Sequence, residues 1–456
     1  MWWFFLLVSF PNNPATWRLD VFVTHGRQTA VYAVDALRLE PVPWSGSESA
    51  FIEPFDFGTD RMELRALDGT LLFARGSSLV STEWLLTGES EREFKTFHES
   101  FRFPELSDEA DLVIKRRDAR NQFVEKVRIR IRPEELNPAV PDPQLVHDLE
   151  INGKPQEKVD LLFLGDGYTV SEQDVFLADA NRLMEALFQV EPFHTQRRSF
   201  NVRAICPPAT QSGIARPSTG FYRNSPLGCS YDSFGSERYV LTMENRAWRD
   251  VAARAPYEYV IMLTNGETYG GGGMFSVFAT AAAHNSFAEY LVIHEFGHHF
   301  AGLADEYYTS PVAYQPPEVV VEPWEVNATA LLNPDQLKWR EWVDQDTPIP
   351  TPWPKETFEA QSKDYGVRRA QIRQQKLPEH HMDALFLELQ KQQTELLGQA
   401  EHAHQVGAFQ GANYDANAFY RPQADCIMFT RNRVPFCRVC ANTLNRVILW
   451  QAPKPH

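Results

Sequence analysis

His294-Glu295-Phe296-Gly297-His298-His299-Phe300-Ala301-Gly302-Leu303-Ala304-Asp305-Glu306 is the stretch on which the reading of this chain turns. His294 and His298 are four residues apart, so on an α-helix both imidazoles leave one face a turn apart and can grip a single Zn²⁺. Glu295 completes an HExxH pattern, and its carboxylate falls beside the metal, where it can take a proton from an attacking water. Ala288, Leu291, Val292 and Phe296 give the segment an apolar flank, as a ligand-bearing helix inside a core requires. These residues predict a hydrolase built on one zinc ion with Glu295 as its acid/base.

Catalytic zinc holds three protein ligands and leaves one position open, so a third ligand is needed. Gly302 can take the positive φ that ends a helix and turns the chain back, which sends an acidic side chain three residues on toward the metal. Asp305 is the expected ligand, and Glu306 competes with it. Metzincin peptidases keep the same interval from glycine to ligand, although here one extra residue precedes the glycine.

Upstream, Val159-Asp160-Leu161-Leu162-Phe163-Leu164-Gly165 is a nearly continuous apolar run, the pattern of a strand buried on both faces. Thr169-Val170-Ser171-Glu172 has the capping-box form, and Phe176, Ala180, Leu183, Met184 and Leu187 follow at helical spacing. A second buried strand covers Tyr257 to Leu263 and ends in a turn at Asn265-Gly266. Strand, helix and strand predict an α/β domain over 146–456. Within it, residues 355–405 are charged, Gln-rich and broken once at Pro378, which predicts a helical hairpin insert. Its His380, His381, His402 and His404 are assigned no role, because histidines on a solvated helical face are usually inert.

The first part of the chain has a different texture. Leu19, Val21 and Val23 alternate with polar neighbours, and Val127-Arg128-Ile129-Arg130-Ile131-Arg132 repeats with period two, so each strand has one wet face. Turn signals at Ser45-Gly46 and Asp68-Gly69 separate such runs and predict an antiparallel β-sandwich over 15–140, a support domain without chemistry. Pro138, Pro141 and Pro143 mark the linker out of it. Residues 1–14 begin with an apolar run far shorter than the ~20 residues that span a bilayer, so no membrane span is expected there. The run reads equally as the remnant of a leader or as an edge strand.

A chain of 456 residues has room for two or three domains, and 43% hydrophobic with 23% charged residues is an ordinary globular balance. The net charge of −16 repels phosphate backbones and anionic lipid heads, which excludes nucleic acid as a natural partner.

At this point the sequence resembles a known family. The HEFGH and GLADEY segments, the LLFLGDGYT strand and turn, Tyr420-Arg421-Pro422 and Cys426-Ile427-Met428 look like those of the bacterial IgA metallopeptidase family, over about residues 15–450. The resemblance implies a β-rich N-terminal domain followed by a metzincin-like zinc peptidase domain acting on protein or peptide. It implies ligation by His294, His298 and Asp305, catalysis by Glu295, and a Met-turn at Met428 packing beneath the ligands. It also implies an extracytoplasmic location, whether periplasmic, cell-surface or secreted. Tyr420 and Tyr414 lie close to that Met-turn in sequence, and a phenol there is expected to donate to the oxyanion, with Tyr420 the first choice.

Other features were read against this background. Tyr269 to Phe278 contains four successive glycines, and the run suits either a flexible loop or a strand edge that pairs with an extended peptide. Cys437-x-x-Cys440 lacks the second pair of a zinc ribbon, so disulfides are expected, with Cys206 and Cys229 as one pair and two of the other three cysteines as another. Asn327-Ala328-Thr329 has the glycosylation form. Two rival classes are a surface or periplasmic binding protein with a structural zinc site, marked by a closed fourth coordination position, and a zinc hydrolase of small non-peptide amides.

Overall fold

The computed structural model describes residues 10–452 except 12, 27–28, 139–144, 310–313 and 315–318. Most of the expected apolar N-terminal run and of the proline linker therefore lies outside the described residues.

Seven strands build the N-terminal part: β1 (Ala15–Gly26), β2 (Thr29–Pro43), β3 (Asp60–Ala66), β4 (Leu71–Ser77), β5 (Lys95–Pro104), β6 (Ala110–Arg117) and β7 (Phe123–Ile131), with helix α1 (Val80–Leu85) between β4 and β5. A short β8 (Leu136–Asn137) completes two four-stranded sheets, ordered β5-β1-β2-β8 and β4-β3-β6-β7. Period-two alternation explains why they face each other. Trp17, Leu19, Val21 and Val23 of β1 share one core with Met62 and Leu64 of β3 and Leu112 and Ile114 of β6.

The expectation of a wet second face holds for β7, where Arg128 and Arg130 pair with Glu125 and Asp111 on the surface. It fails for β1. Arg18 and Asp20 are buried and paired at 2.9 Å, and Arg18 reaches Asp250 at 2.5 Å. Asp250 lies on helix α3 (Asn245–Ala252) of the second domain, so the polar face of β1 is covered by that domain.

The second domain is laid on a six-stranded mixed sheet. Its strands are β9 (His147–Glu150), β10 (Val159–Asp166), β11 (Phe200–Ile205), β14 (Tyr259–Thr264), β15 (Gly271–Met274) and β16 (Phe278–Ala282), with the two-residue pair β12 (Cys229–Ser230) and β13 (Leu241–Thr242) outside it. The order is β15-β16-β14-β10-β11-β9, parallel in the middle and antiparallel at both edges. Both faces are buried. Leu161 and Phe163 of β10 and Ile261 of β14 enter one core with helices α2 (Gln173–Leu187), α4 (Ala288–Ala301) and α7 (Arg438–Gln451). Leu162, Leu164 and Met262 enter the core of the N-terminal sheets. The apolar runs are continuous because each strand has two dry sides.

Helices α5 (Lys355–Gln374) and α6 (Glu379–Gly398) form the insert as a hairpin, and the pair β17 (Phe409–Ala412) and β18 (Asp415–Arg421) follows. No described helix is long and apolar enough to cross a membrane.

The two expected disulfides are not formed. All five cysteines are free and buried. Cys206 packs in the core with α2 and Cys229 in the core on the opposite face of the sheet, so the sheet itself separates the expected pair. Asn327 is fully buried, and its side chain donates to Ala304 and Glu306 and accepts from the Ala304 amide at 2.8 Å, which leaves it closed to a glycan in the folded chain.

Candidate metal centre and its cavity

Helix α4 carries the HExxH residues on the face turned toward the cavity, and its end is set by glycine. Gly302 has φ +59°, and a Cβ there would sit 2.7 Å from the Trp324 ring. Its amide donates to the His298 carbonyl at 2.9 Å, closing the last turn. The chain then leaves the helix and brings Asp305 back beside His294 and His298.

Three ligand atoms converge. Asp305 Oδ1 lies 3.0 Å from His294 Nε2 and 3.2 Å from His298 Nε2, and the two imidazole nitrogens are 3.2 Å apart. Bonds of ~2.0–2.1 Å to a tetrahedral ion would separate such atoms by roughly 3.3 Å, so this triangle is the size of one coordination face. Each imidazole has its other nitrogen fixed. His294 Nδ1 faces the Ile427 carbonyl at 2.9 Å and His298 Nδ1 the Leu303 carbonyl at 2.5 Å. A carbonyl only accepts, so Nδ1 carries the hydrogen in both rings and the Nε2 lone pairs point at one spot. Asp305 Oδ2 accepts from the Tyr414 hydroxyl.

The electrostatics favour a cation at that spot. Burial alone would lower the pKa of His298, but the Asp305 carboxylate outweighs it and lifts the group to about 9. Burial likewise opposes ionisation of Asp305, yet the two imidazoles hold its carboxyl well below the usual range. Two nitrogens and one carboxylate oxygen in this geometry suit a divalent transition metal.

Glu295 faces the same place, with its carboxylate within 4.8 Å of both imidazoles. Burial raises its pKa, against the opposing pull of His294 and His298. Met428 is fully buried beneath the helix, and a Cβ on Gly297 would meet its sulfur at 3.0 Å. The absence of a side chain at Gly297, between the two imidazoles, lets the methionine close the floor.

The glycine run proves to be edge strand β15 rather than a loop. A Cβ on Gly273 would fall 2.4 Å from the Glu295 carbonyl oxygen and 2.8 Å from His298 Cβ. Glycine is what allows the edge strand to lie directly on helix α4. Gly271 spends its outward amide and carbonyl on Arg238 and Val240. Gly273, two residues on, presents the next outward pair along the same edge.

These groups line a cavity of about 1140 Å³. Its far wall is the helical insert, through Tyr365, Arg369, Phe386 and Leu389. Arg373 and Glu379 of that insert pair with Glu237 and Arg216 respectively, and Arg216 also pairs with Glu237, which ties the insert to the loop bearing Arg238.

Of the residues expected at the site, His294, Glu295, His298 and Asp305 come together. Tyr420 does not. It sits on β18 with its backbone paired to Thr329 and is not among the residues lining the cavity, whereas Tyr414, in the turn of the same hairpin, lines it and donates to Asp305. Glu306 also turns away, and burial holds its carboxyl well above the usual range. Sequence reading missed Tyr290, Tyr307 and Arg238. Tyr290 was within reach, since it precedes His294 by one helical turn and its hydroxyl lies 3.1 Å from His294 Nδ1. Arg238 carried no local signal; it donates to the Tyr307 hydroxyl at 3.0 Å from a loop distant in sequence. His299 is structural: it accepts from the Val260 amide at 3.0 Å and faces the Met274 carbonyl at 2.9 Å, pinning α4 to the sheet.

A family model described as IgA Peptidase M64 matches residues 148–448, and one described as Peptidase M64 N-terminus matches residues 10–128. No curated protein matches the chain.

Proposed function

Because the chain belongs to the IgA peptidase M64 family, and is therefore a peptidase, we propose that it is a zinc-dependent endopeptidase in which His294, His298 and Asp305 hold the ion and Glu295 is the acid/base. The observation that carries this reading is the 3.0–3.2 Å triangle of two imidazole nitrogens and one carboxylate oxygen, with a second carboxylate, that of Glu295, alongside. We read the paired N-terminal sheets as a β-sandwich and the catalytic domain as metzincin-like.

When bound, the ion supplies Lewis-acid polarisation of the scissile carbonyl and of water. Glu295 takes one proton from the attacking water as its oxygen bonds to the carbonyl carbon, and delivers that proton to the leaving amine nitrogen as the C–N bond breaks. Burial, by raising the Glu295 pKa, brings the carboxylate closer to neutral pH, where both transfers are efficient. The Arg238 and Tyr307 pair supplies positive charge and a hydroxyl in the cavity for the developing oxyanion. The outward groups of Gly273 hold an extended substrate backbone against the edge of β15. A cavity of this size suits a segment of polypeptide better than a small amide.

Glu295→Gln tests the reading. The variant should bind metal as the parent does and lose chelator-sensitive cleavage of a denatured protein substrate; undiminished cleavage would overturn the assignment.

A further inference from the structure

The carboxylate that turns away from the imidazoles has a destination. Glu306, Cys426, Cys437 and Cys440 are all buried, and their ligand atoms lie within 4.8 Å of one another. Glu306 Oε1 is 3.3 Å from Cys440 Sγ and 3.8 Å from Cys437 Sγ. Bonds of ~2.3 Å from a tetrahedral ion to sulfur would set neighbouring sulfurs roughly 3.7 Å apart, so the cluster has the dimensions of a filled shell.

Three further observations point to a ligand. Glu306 Oε2 has no hydrogen-bond partner although the residue is fully buried, a costly condition unless something else binds it. Backbone amides aim at the sulfurs: Cys437 N and Met428 N approach Cys426 Sγ at 3.2 and 3.5 Å, and Cys440 N approaches Cys437 Sγ at 3.4 Å. Such donors favour thiolates, as does the N-terminal end of α7, where Cys437 is the cap. A disulfide between any two of the sulfurs would leave the third, and the Glu306 oxygen, without a purpose.

We propose that Cys426, Cys437, Cys440 and Glu306 bind a second metal ion, thiophilic and zinc-like, at a site separate from the imidazole centre. With four protein ligands the shell is closed, so the ion is structural. It ties together three segments that shape the neighbouring centre: the chain carrying Asp305, the turn carrying Met428 and the start of α7.

The test uses the full chain purified with zinc, examined by metal analysis and zinc X-ray absorption. The expected sample holds two ions per chain, and His294→Ala retains one whose shell contains sulfur at ~2.3 Å. Cys440→Ser should retain the other, with a shell free of sulfur. If that variant does not fold, the parent and His294→Ala decide the matter. A sulfur-free metal shell in the zinc-replete parent, or a disulfide among the three cysteines under non-reducing mass spectrometry, overturns the proposal.

Discussion

Asp305 and Glu306 are consecutive, yet their carboxylates face opposite ways: Asp305 Oδ1 lies 3.0 Å from His294 Nε2, and Glu306 Oε1 lies 3.3 Å from Cys440 Sγ. The two side chains leave the chain on opposite sides, so one dipeptide serves two clusters. Replacing the two residues separately should therefore separate two effects. Asp305→Ala is expected to weaken metal binding at the imidazoles and abolish cleavage. Glu306→Gln should leave imidazole-site metal in place and cost roughly 2 kcal/mol of stability. Metal titration alongside thermal melts distinguishes them, and loss of imidazole-site metal in both variants would contradict this division.

Tyr414, not Tyr420, supports the centre. Its hydroxyl donates to Asp305 Oδ2, and a group of this kind typically contributes ~10–100-fold in metal affinity or activity. Tyr414→Phe should show a loss of that order in metal affinity, measured by competition with a chromogenic chelator, whereas Tyr420→Phe should match the parent.

Gly273 is fixed by contact rather than by conformation. An added methyl meets the Glu295 carbonyl oxygen at 2.4 Å, and backbone cannot step aside as a side chain can. Gly273→Ala should cost about 1–3 kcal/mol and, by displacing Glu295 and His298, lower kcat/KM by ~10²-fold. Gly398, on α6 with nothing within 4 Å of an added Cβ and away from the cavity lining, is the control, where alanine should stabilise slightly and leave activity unchanged.

Glu99 gives the N-terminal sheets a pH dependence. Burial raises its carboxyl to about 7, despite the Ser81 amide donating to it at 3.0 Å; Asp60 adds to the rise, and Arg249 opposes it. The folded pKa lies above the unfolded one, so the contribution is fully present below the unfolded value and is lost as pH rises through about 7. Stability should fall by about 2 kcal/mol between pH 5 and pH 8 on this account. Denaturant unfolding across that range checks it, and Glu99→Gln should flatten the profile.

Some of this molecule could be read along the chain, because the determining contacts are local. A four-residue interval puts His294 and His298 on one helical face whatever surrounds them, glycine at 302 takes its left-handed angle without strain, and the capping box at Thr169 forms within its own turn, with the Thr169 amide donating to Glu172 at 2.8 Å. Alternating and continuous apolar runs likewise separate half-buried strands from those with two dry faces.

What the fold alone decided depends on which distant segments meet. Nothing in Asp305-Glu306 says which acid turns to the imidazoles; the packing of Met428 and Asn327 around that segment does, with the Glu306 amide held by the Met428 carbonyl at 2.9 Å. Tyr414 reaches Asp305 from the turn between β17 and β18, where its backbone takes φ +65°, a placement that depends on how that hairpin packs against the Asp305 segment. Cys206 and Cys229 stay apart because a sheet lies between them, while Cys426, Cys437 and Cys440 meet a glutamate more than a hundred residues away. Periodicity is a property of neighbours in sequence, whereas convergence is a property of chain crossings, and only the second brings these sulfurs and that carboxylate into one shell.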